Sequence, residues 1–400
     1  MFYDRPFNSF EFIDSDFITQ LRKDIWEFGN LAWLFALGDR IVTGMSNGLP
    51  TAVDLAQLFT IAFFAICWLF LSPESNGVAE ALYDVFKPIS SFPKVQGRVA
   101  PSLETIRRFG YQQTSTWQGW KVHHTVFPNA RSNVPVIFVH GFGGSIGHWR
   151  QNMSALSKRH SVYAIDLLGF GASDKPNIEY SVELWVQQLH DFWKTFIGKP
   201  VILVGNSIGS LTCLATAATH PEMVRGVAMI SLPDTASHHE SIPLKMRPYV
   251  QYLQTLLLSP LLLYPLFYLL RQRRIVRLWA GLAYACKEAV TDELLEILVK
   301  PARAKGSARA FCAIIKAMMS PKFSPSVGSI LRSIKMPSLL LWGKQDRMIP
   351  CSSAEHFLNY NPKLQIVTLD NAGHCAHDER PEEVNSELMH WIQTEVLAAD

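Results

Sequence analysis

From about residue 108 onward, short apolar runs alternate with helix-length spacers, and this alternation restricts the fold more than any other feature of the chain. The runs "WKVHHTVF" (120–127), "VPVIFVHG" (134–141), "SVYAIDLLG" (161–169), "PVILVG" (200–205), "GVAMISL" (226–232), "SLLLWG" (338–343) and "LQIVTLD" (364–370) read as strands. Most are apolar on both faces, as expected of strands covered by helices on both sides. The spacers at 147–158, 181–197, 208–219, 353–360 and 381–397 carry helical patterns. Together they predict an α/β fold on a mainly parallel sheet, with helices on both faces.

One connection is too long for a loop. About a hundred residues separate the strand ending near Leu232 from the one starting near Ser338, so 234–334 is expected to be a helical cap inserted into a core of 101–233 and 335–400. It contains "LQTLLLSPLLLYPLFYLLRQRR" (253–274), where Pro260 and Pro265 are expected to interrupt any helix. A clean membrane span is therefore not expected there. Two readings stay open: a broken lid touching lipid, its arginines at the headgroups, or a cap helix packed wholly on the body.

Residues 1–100 differ in composition and read as a helical, membrane-associated extension. "LAQLFTIAFFAICWLFL" (55–71) holds ten Leu, Ile or Phe in seventeen residues, which favours insertion by roughly 3 to 6 kcal/mol. A transmembrane segment is the expectation, against a buried or interfacial helix. Lys and Arg are too sparse on either side to set its orientation. Upstream, Leu21, Ile25, Phe28, Leu31 and Phe35 recur at helical spacing, and residues 1–72 are a candidate contact for lipid or a membrane-protein partner.

With 37 basic and 34 acidic residues, a net charge of +3 and no basic cluster, nucleic acid is not expected as a partner. The six cysteines are far apart, without zinc-ligand spacing, and read as buried thiols in a reducing compartment. The acidic N-terminus lacks the pattern of a cleaved secretory signal. No metal and no cofactor are expected.

Gly205-Asn206-Ser207-Ile208-Gly209 fits G-x-S-x-G and falls between a strand and a helix. That is where a nucleophile elbow sits: the flanking glycines, Gly205 and Gly209, leave room for a strained turn that lifts the serine off the sheet. A serine needs a base, and the base needs an acid, in the order Ser, acid, His along such a chain. Asp346 follows one strand by three residues and His374 lies in the loop after the next. Asp234 is the rival acid. His377 is the rival base, otherwise a supporting or cap-contact residue. His123, His124, His148, His160, His220, His238 and His239 read as surface, turn or packing residues. The loop "HGFGG", opening at Gly141, frees backbone amides to receive an oxyanion, and the expected donors are those of Phe142 and Ile208. It has neither the P-loop nor the dinucleotide-binding spacing.

"HGFGG", "DLLGFGASDKP", "GNSIGS", "WGKQDRMIP" and "AGHCAHDERPEEVN" resemble, in order, the α/β-hydrolase superfamily over about 108–397. "GHWRQNMSALSKRHSVYAIDLLGFGASDKP", "ELWVQQLHDFWKTFIGKPVILVGNSIGS" and "AGHCAHDERPEEVN" look like its pheophytinase and chlorophyll dephytylase group. This resemblance implies Ser207 as nucleophile, Asp346 as acid, His374 as base, and hydrolysis of the phytyl ester of a chlorophyll-type pigment. The substrate would carry a long alkyl or isoprenoid chain, and the membrane would be of the thylakoid type. Two alternatives remain: a lipase, acyltransferase or lactonase acting on another lipid ester, or a non-catalytic membrane scaffold.

Overall fold

The computed structural model describes residues 102–131, 134–234 and 258–398. The expected span 55–71, the amphipathic stretch before it and residues 253–257 lie outside the described residues. Among the described residues, no helix is long and apolar enough to cross a membrane.

The described elements run α1 (Leu103–Phe109), β1 (Tyr111–Trp117), β2 (Trp120–Phe127), β3 (Val136–Val139), α2 (Arg150–Leu156), β4 (Val162–Ile165), α3 (Val182–Phe196), β5 (Val201–Asn206), α4 (Ile208–Thr219) and β6 (Val224–Ile230). They continue as α5 (Pro260–Leu270), α6 (Arg273–Ala283), α7 (Asp292–Ala302), α8 (Ser307–Met318), α9 (Val327–Ser333), β7 (Ser338–Gly343), α10 (Ser352–His356), β8 (Gln365–Leu369), α11 (Ala376–Glu379) and α12 (Pro381–Trp391). The eight strands form one sheet in the order β1-β2-β4-β3-β5-β6-β7-β8. The β1–β2 and β2–β4 pairs are antiparallel and the others parallel. The seven expected strands are present. β1 is additional, because its sequence YQQTSTW is polar and largely exposed, as an edge strand can be.

The two-sided apolarity of the central strands has a direct cause. Val136 and Phe138 of β3, with Ile202 and Val204 of β5, point to one face, where they meet Trp149, Met153 and Trp391. Ile137, Val139 and Leu203 point to the other, against Trp185, Leu211 and Trp342. Side chains alternate along a strand, so each strand feeds two cores at once. The helices start where their caps dictate: the Ser181 hydroxyl accepts from the Leu184 amide at the head of α3, and Thr291 does the same for Leu294 at α7.

Pro260 does not interrupt a helix. It occupies the first turn of α5, where its missing N–H would have had no acceptor. The helix also continues through Pro265 and stops at Arg271–Gln272, so the break falls after the prolines. Ala310 and Ile314 of α8, Phe323, and Val327, Ile330 and Leu331 of α9 pack in the main core.

Candidate active site

Ser207 sits between β5 and α4 with φ 54° and ψ −122°, a left-handed conformation that is strained for a residue bearing a Cβ. The elbow is locked from β6: the Ser207 amide donates to the Ile230 carbonyl at 2.9 Å, and the Ser210 hydroxyl accepts from the Ile230 amide at 2.9 Å while its one proton lies between the carbonyls of Gly205 and Ile230, 2.8 and 2.9 Å away. Both flanking glycines are required by close approach of backbone. A Cβ on Gly209 would stand 2.3 Å from the Val139 carbonyl, and one on Gly205 would stand 2.4 Å from Gly209 itself. Such contacts let α4 press against the end of β3.

That pressure brings the oxyanion loop to the serine. A Cβ on Gly141 would lie 3.2 Å from Ser207 Cβ and 2.7 Å from Asn206 Oδ1. The amides of Phe142 and Ile208 donate to no acceptor among the described residues, and Ile208 opens α4, where helical geometry leaves an amide free. His140 holds the loop from behind: its Nδ1 donates to the Gly141 carbonyl at 2.8 Å, while its Nε2 accepts from the Leu167 amide at 3.1 Å. Burial favours this neutral ring and lowers its pKa.

The imidazole of His374 bonds through Nδ1 to Asp346 Oδ2 at 2.9 Å. Both side chains are buried, Asp346 completely. The second oxygen of Asp346 accepts from the amides of Met348 and Ile349 at 2.8 and 2.9 Å. Burial alone would raise the carboxyl pKa; the hydrogen bond and charge of His374, with these two amides, outweigh it and leave it below the ordinary value. The acid is thus an anion aimed at the imidazole, and Nε2 is left to handle a proton.

Two glycines outside G-x-S-x-G join the loops of Asp346 and His374. A Cβ on Gly343 would meet the carbonyls of Ala372 and Gly373 at 2.3 Å, and one on Gly373 would meet the Ala283 carbonyl at the same distance. The His374 amide donates to Ala283 at 2.7 Å. The base is therefore held from the cap as well as from the body.

A buried polar network, missed in the sequence, reinforces that grip. Arg150 pairs with Asp378 at 2.6 Å, and Tyr284, at the end of α6, donates to the other oxygen of Asp378 at 2.7 Å and bonds His148 Nε2 at 2.8 Å. Burial lowers the pKa of His148 to about 4, with Asp378 opposing and Arg150 assisting. Glu379 accepts from the amides of Gly373, at 2.8 Å, and Cys286; burial raises its pKa, against those bonds. His148, read as surface, turn or packing, thus belongs to the cap clamp, and His123 braces Asp166, whose other oxygen receives the Ile146 amide. No periodicity marks these residues, because the pairs come from different elements, Arg150 and Asp378 standing 228 positions apart and His148 and Tyr284 136. His377 is buried against the Trp149 ring at 4.0 Å, and neither of its nitrogens has a hydrogen-bond partner among the described residues.

His190, His220 and Glu222 bring three metal-type donor atoms within 4.8 Å of one another. The two imidazoles stack at 3.9 Å and 16°. Lone pairs lie in the ring planes, so in this arrangement they run side by side instead of converging on one ion.

The arrangement can do acyl-transfer chemistry on water, and known proteins with this fold are similar. The chain is 28% identical over 274 residues, 67% of its length and 87% of the relative's, to 2-hydroxy-6-oxo-6-(2'-aminophenyl)hexa-2,4-dienoic acid hydrolase of Metapseudomonas resinovorans. It is 25% identical over 311 residues to chloroplastic pheophytinase of Arabidopsis thaliana, covering 64% of this chain and 61% of that one. A 116-residue stretch is 34% identical to (lyso)-N-acylphosphatidylethanolamine lipase of Bos taurus, covering 28% and 33%. Among solved structures, a membrane phospholipase A described as a bacterial virulence factor matches with a TM-score of 0.59 at 22% identity, over 86% of this chain and 98% of that one. That likeness concerns the fold alone. With hydrolases and lipases as relatives, the chain is an ester hydrolase. A model of the alpha/beta hydrolase family matches residues 136–387, the stretch that holds the whole site, and the chain belongs to that family.

Proposed function

We propose that this hydrolase cleaves esters with a long alkyl or isoprenoid chain drawn from a membrane, the phytyl ester of a chlorophyll-type pigment foremost. The hydrogen bond between Asp346 and His374, 2.9 Å long and buried, carries the catalytic part of the reading. His374 Nε2 takes the proton of Ser207 as Oγ attacks the ester carbonyl. The amides of Phe142 and Ile208 stabilise the oxyanion, at about 3 kcal/mol each when aligned. Collapse expels the alcohol, which takes its proton from Nε2. Water then attacks the acyl-enzyme with His374 again as base, releasing the acid and restoring the serine.

Two observations support the apolar substrate. Phe142, on the oxyanion loop, stands 6.0 Å from the ring of Phe311 of α8, which in turn meets Phe267 of α5 at 4.9 Å. An aromatic wall therefore leads from the site into the cap, as an extended hydrocarbon requires. The likeness to pheophytinase adds the pigment ester. Attachment through residues 1–72 to a photosynthetic membrane, with the catalytic body in a reducing compartment, completes the proposal.

The test is release of free phytol from pheophytin and chlorophyll by the detergent-solubilised chain, beside phospholipid and N-acylphosphatidylethanolamine esters. Ser207→Ala should lower turnover by several orders of magnitude and abolish labelling by a fluorophosphonate. Hydrolysis of glycerolipid esters alone would replace the pigment reading by the lipase one, which the 34% identical stretch favours.

A further inference from the structure

We infer that the outer face of α6 rests on an anionic lipid bilayer and that this contact bears on the loop of His374, an inference that builds on the lipid-ester reading above. The inner face of this helix is accounted for. Ala280, and Tyr284 just past its end, pack with Val290, Leu294, Leu295 and Cys375. Arg273 and Arg277 bind Asp292 at 2.9 and 2.5 Å, and Arg273 also pairs with Glu296, so two arginines staple α6 to α7.

The outer face is of another kind. Leu278 is 68% exposed, Trp279 50% and Leu282 48%. Gly281 among them faces open space. Arg274, one turn before Leu278, has no ion-pair partner among the described residues, and Arg271 lies over the Tyr268 ring at 4.2 Å. A helix with leucines and a tryptophan on one side, bordered by cations, matches a surface of anionic headgroups above hydrocarbon. A second copy of the chain fits less well: a two-fold contact across this face would set the arginines against one another.

The consequence for the site follows from continuity of the chain. α6 passes directly into Ala283–Cys286, where Ala283 accepts the His374 amide at 2.7 Å, Tyr284 binds Asp378 and Cys286 binds Glu379. No flexible linker separates the lipid-facing turn from the clamp on the base. Burying Leu278, Trp279 and Leu282 in lipid would steady that clamp, so turnover of vesicle-borne ester should depend on the outer face.

The test uses the full chain carrying Ser207→Ala, with brominated phosphatidylcholine vesicles, with or without an equimolar share of phosphatidylglycerol. The signal is the emission lost on Trp279→Phe. It should be quenched in the anionic vesicles and recover with Arg274→Glu or at high salt. Emission that stays unquenched in both vesicles overturns the docking, and shielding from aqueous acrylamide as well would assign the face to a protein segment instead. In the active chain, Leu278→Glu with Leu282→Glu should lower the rate on vesicle-borne ester about tenfold relative to a water-soluble short-chain ester; an unchanged ratio overturns the link to His374. Quenching without hydrolysis of any ester would sink the hydrolytic reading and leave the docking intact.

Discussion

The side-chain amide of Asn206 donates to the backbone carbonyl of His374 at 3.0 Å, so the residue before the elbow serine holds the loop that carries the imidazole. Its Oδ1 fills the space a Cβ on Gly141 would need. One buried amide thus touches the nucleophile turn, the base loop and the oxyanion loop. Asn206→Ala should cost about 1 to 3 kcal/mol through the unpaired carbonyl and lower turnover up to about 100-fold by misplacing His374. Urea midpoints and kcat on a water-soluble ester check both; unchanged turnover would mean that the cap alone positions the base.

Asp346→Asn should leave the fold intact and lower kcat by about 10,000-fold, since an amide can hold His374 in the wrong tautomer. The folded-state carboxyl pKa lies below its unfolded value, about 3.9. Its contribution to stability is therefore fully present above that pH and is lost as pH falls through the lower folded value. The difference in unfolding free energy between wild type and variant, followed from pH 6 downward, should shrink only in strong acid.

His377→Phe should retain turnover within severalfold, because the ring makes no hydrogen bond among the described residues and a phenyl can keep the contact with Trp149. Burial holds the imidazole neutral, with a pKa well below its unfolded value. Stability from this group is present above about pH 6.5 and erodes on acidification, by about 1.4 kcal/mol per pH unit at most. Thermal scans from pH 7.5 to 5 should show a shallower loss in the variant. A thousandfold fall in kcat would instead make His377 the base.

Gly209→Ala should be far more damaging than alanine in a helix normally is. Its Cβ would meet the carbonyl oxygens of Val139 and His140 at 2.3 and 2.5 Å, and backbone cannot yield as a side chain can. Loss of fluorophosphonate labelling together with a lowered melting temperature is the expected result. Normal labelling would show that α4 can shift without cost to the elbow.

The α/β architecture was legible in the chain because buried parallel strands must be apolar on both faces, and helices must follow them. Ser207, Asp346 and His374 could be singled out for a related reason: each stands just past a strand, where a sheet of this kind opens to substrate. The polar edge strand β1 lacked that signature. Only tertiary structure could pair Arg150 with Asp378, set Tyr284 between His148 and Asp378, and put Ala283 against His374. Local sequence records what one turn or one strand prefers. Which distant backbones come within 3 Å is decided by packing, and here packing hands His374 to the cap.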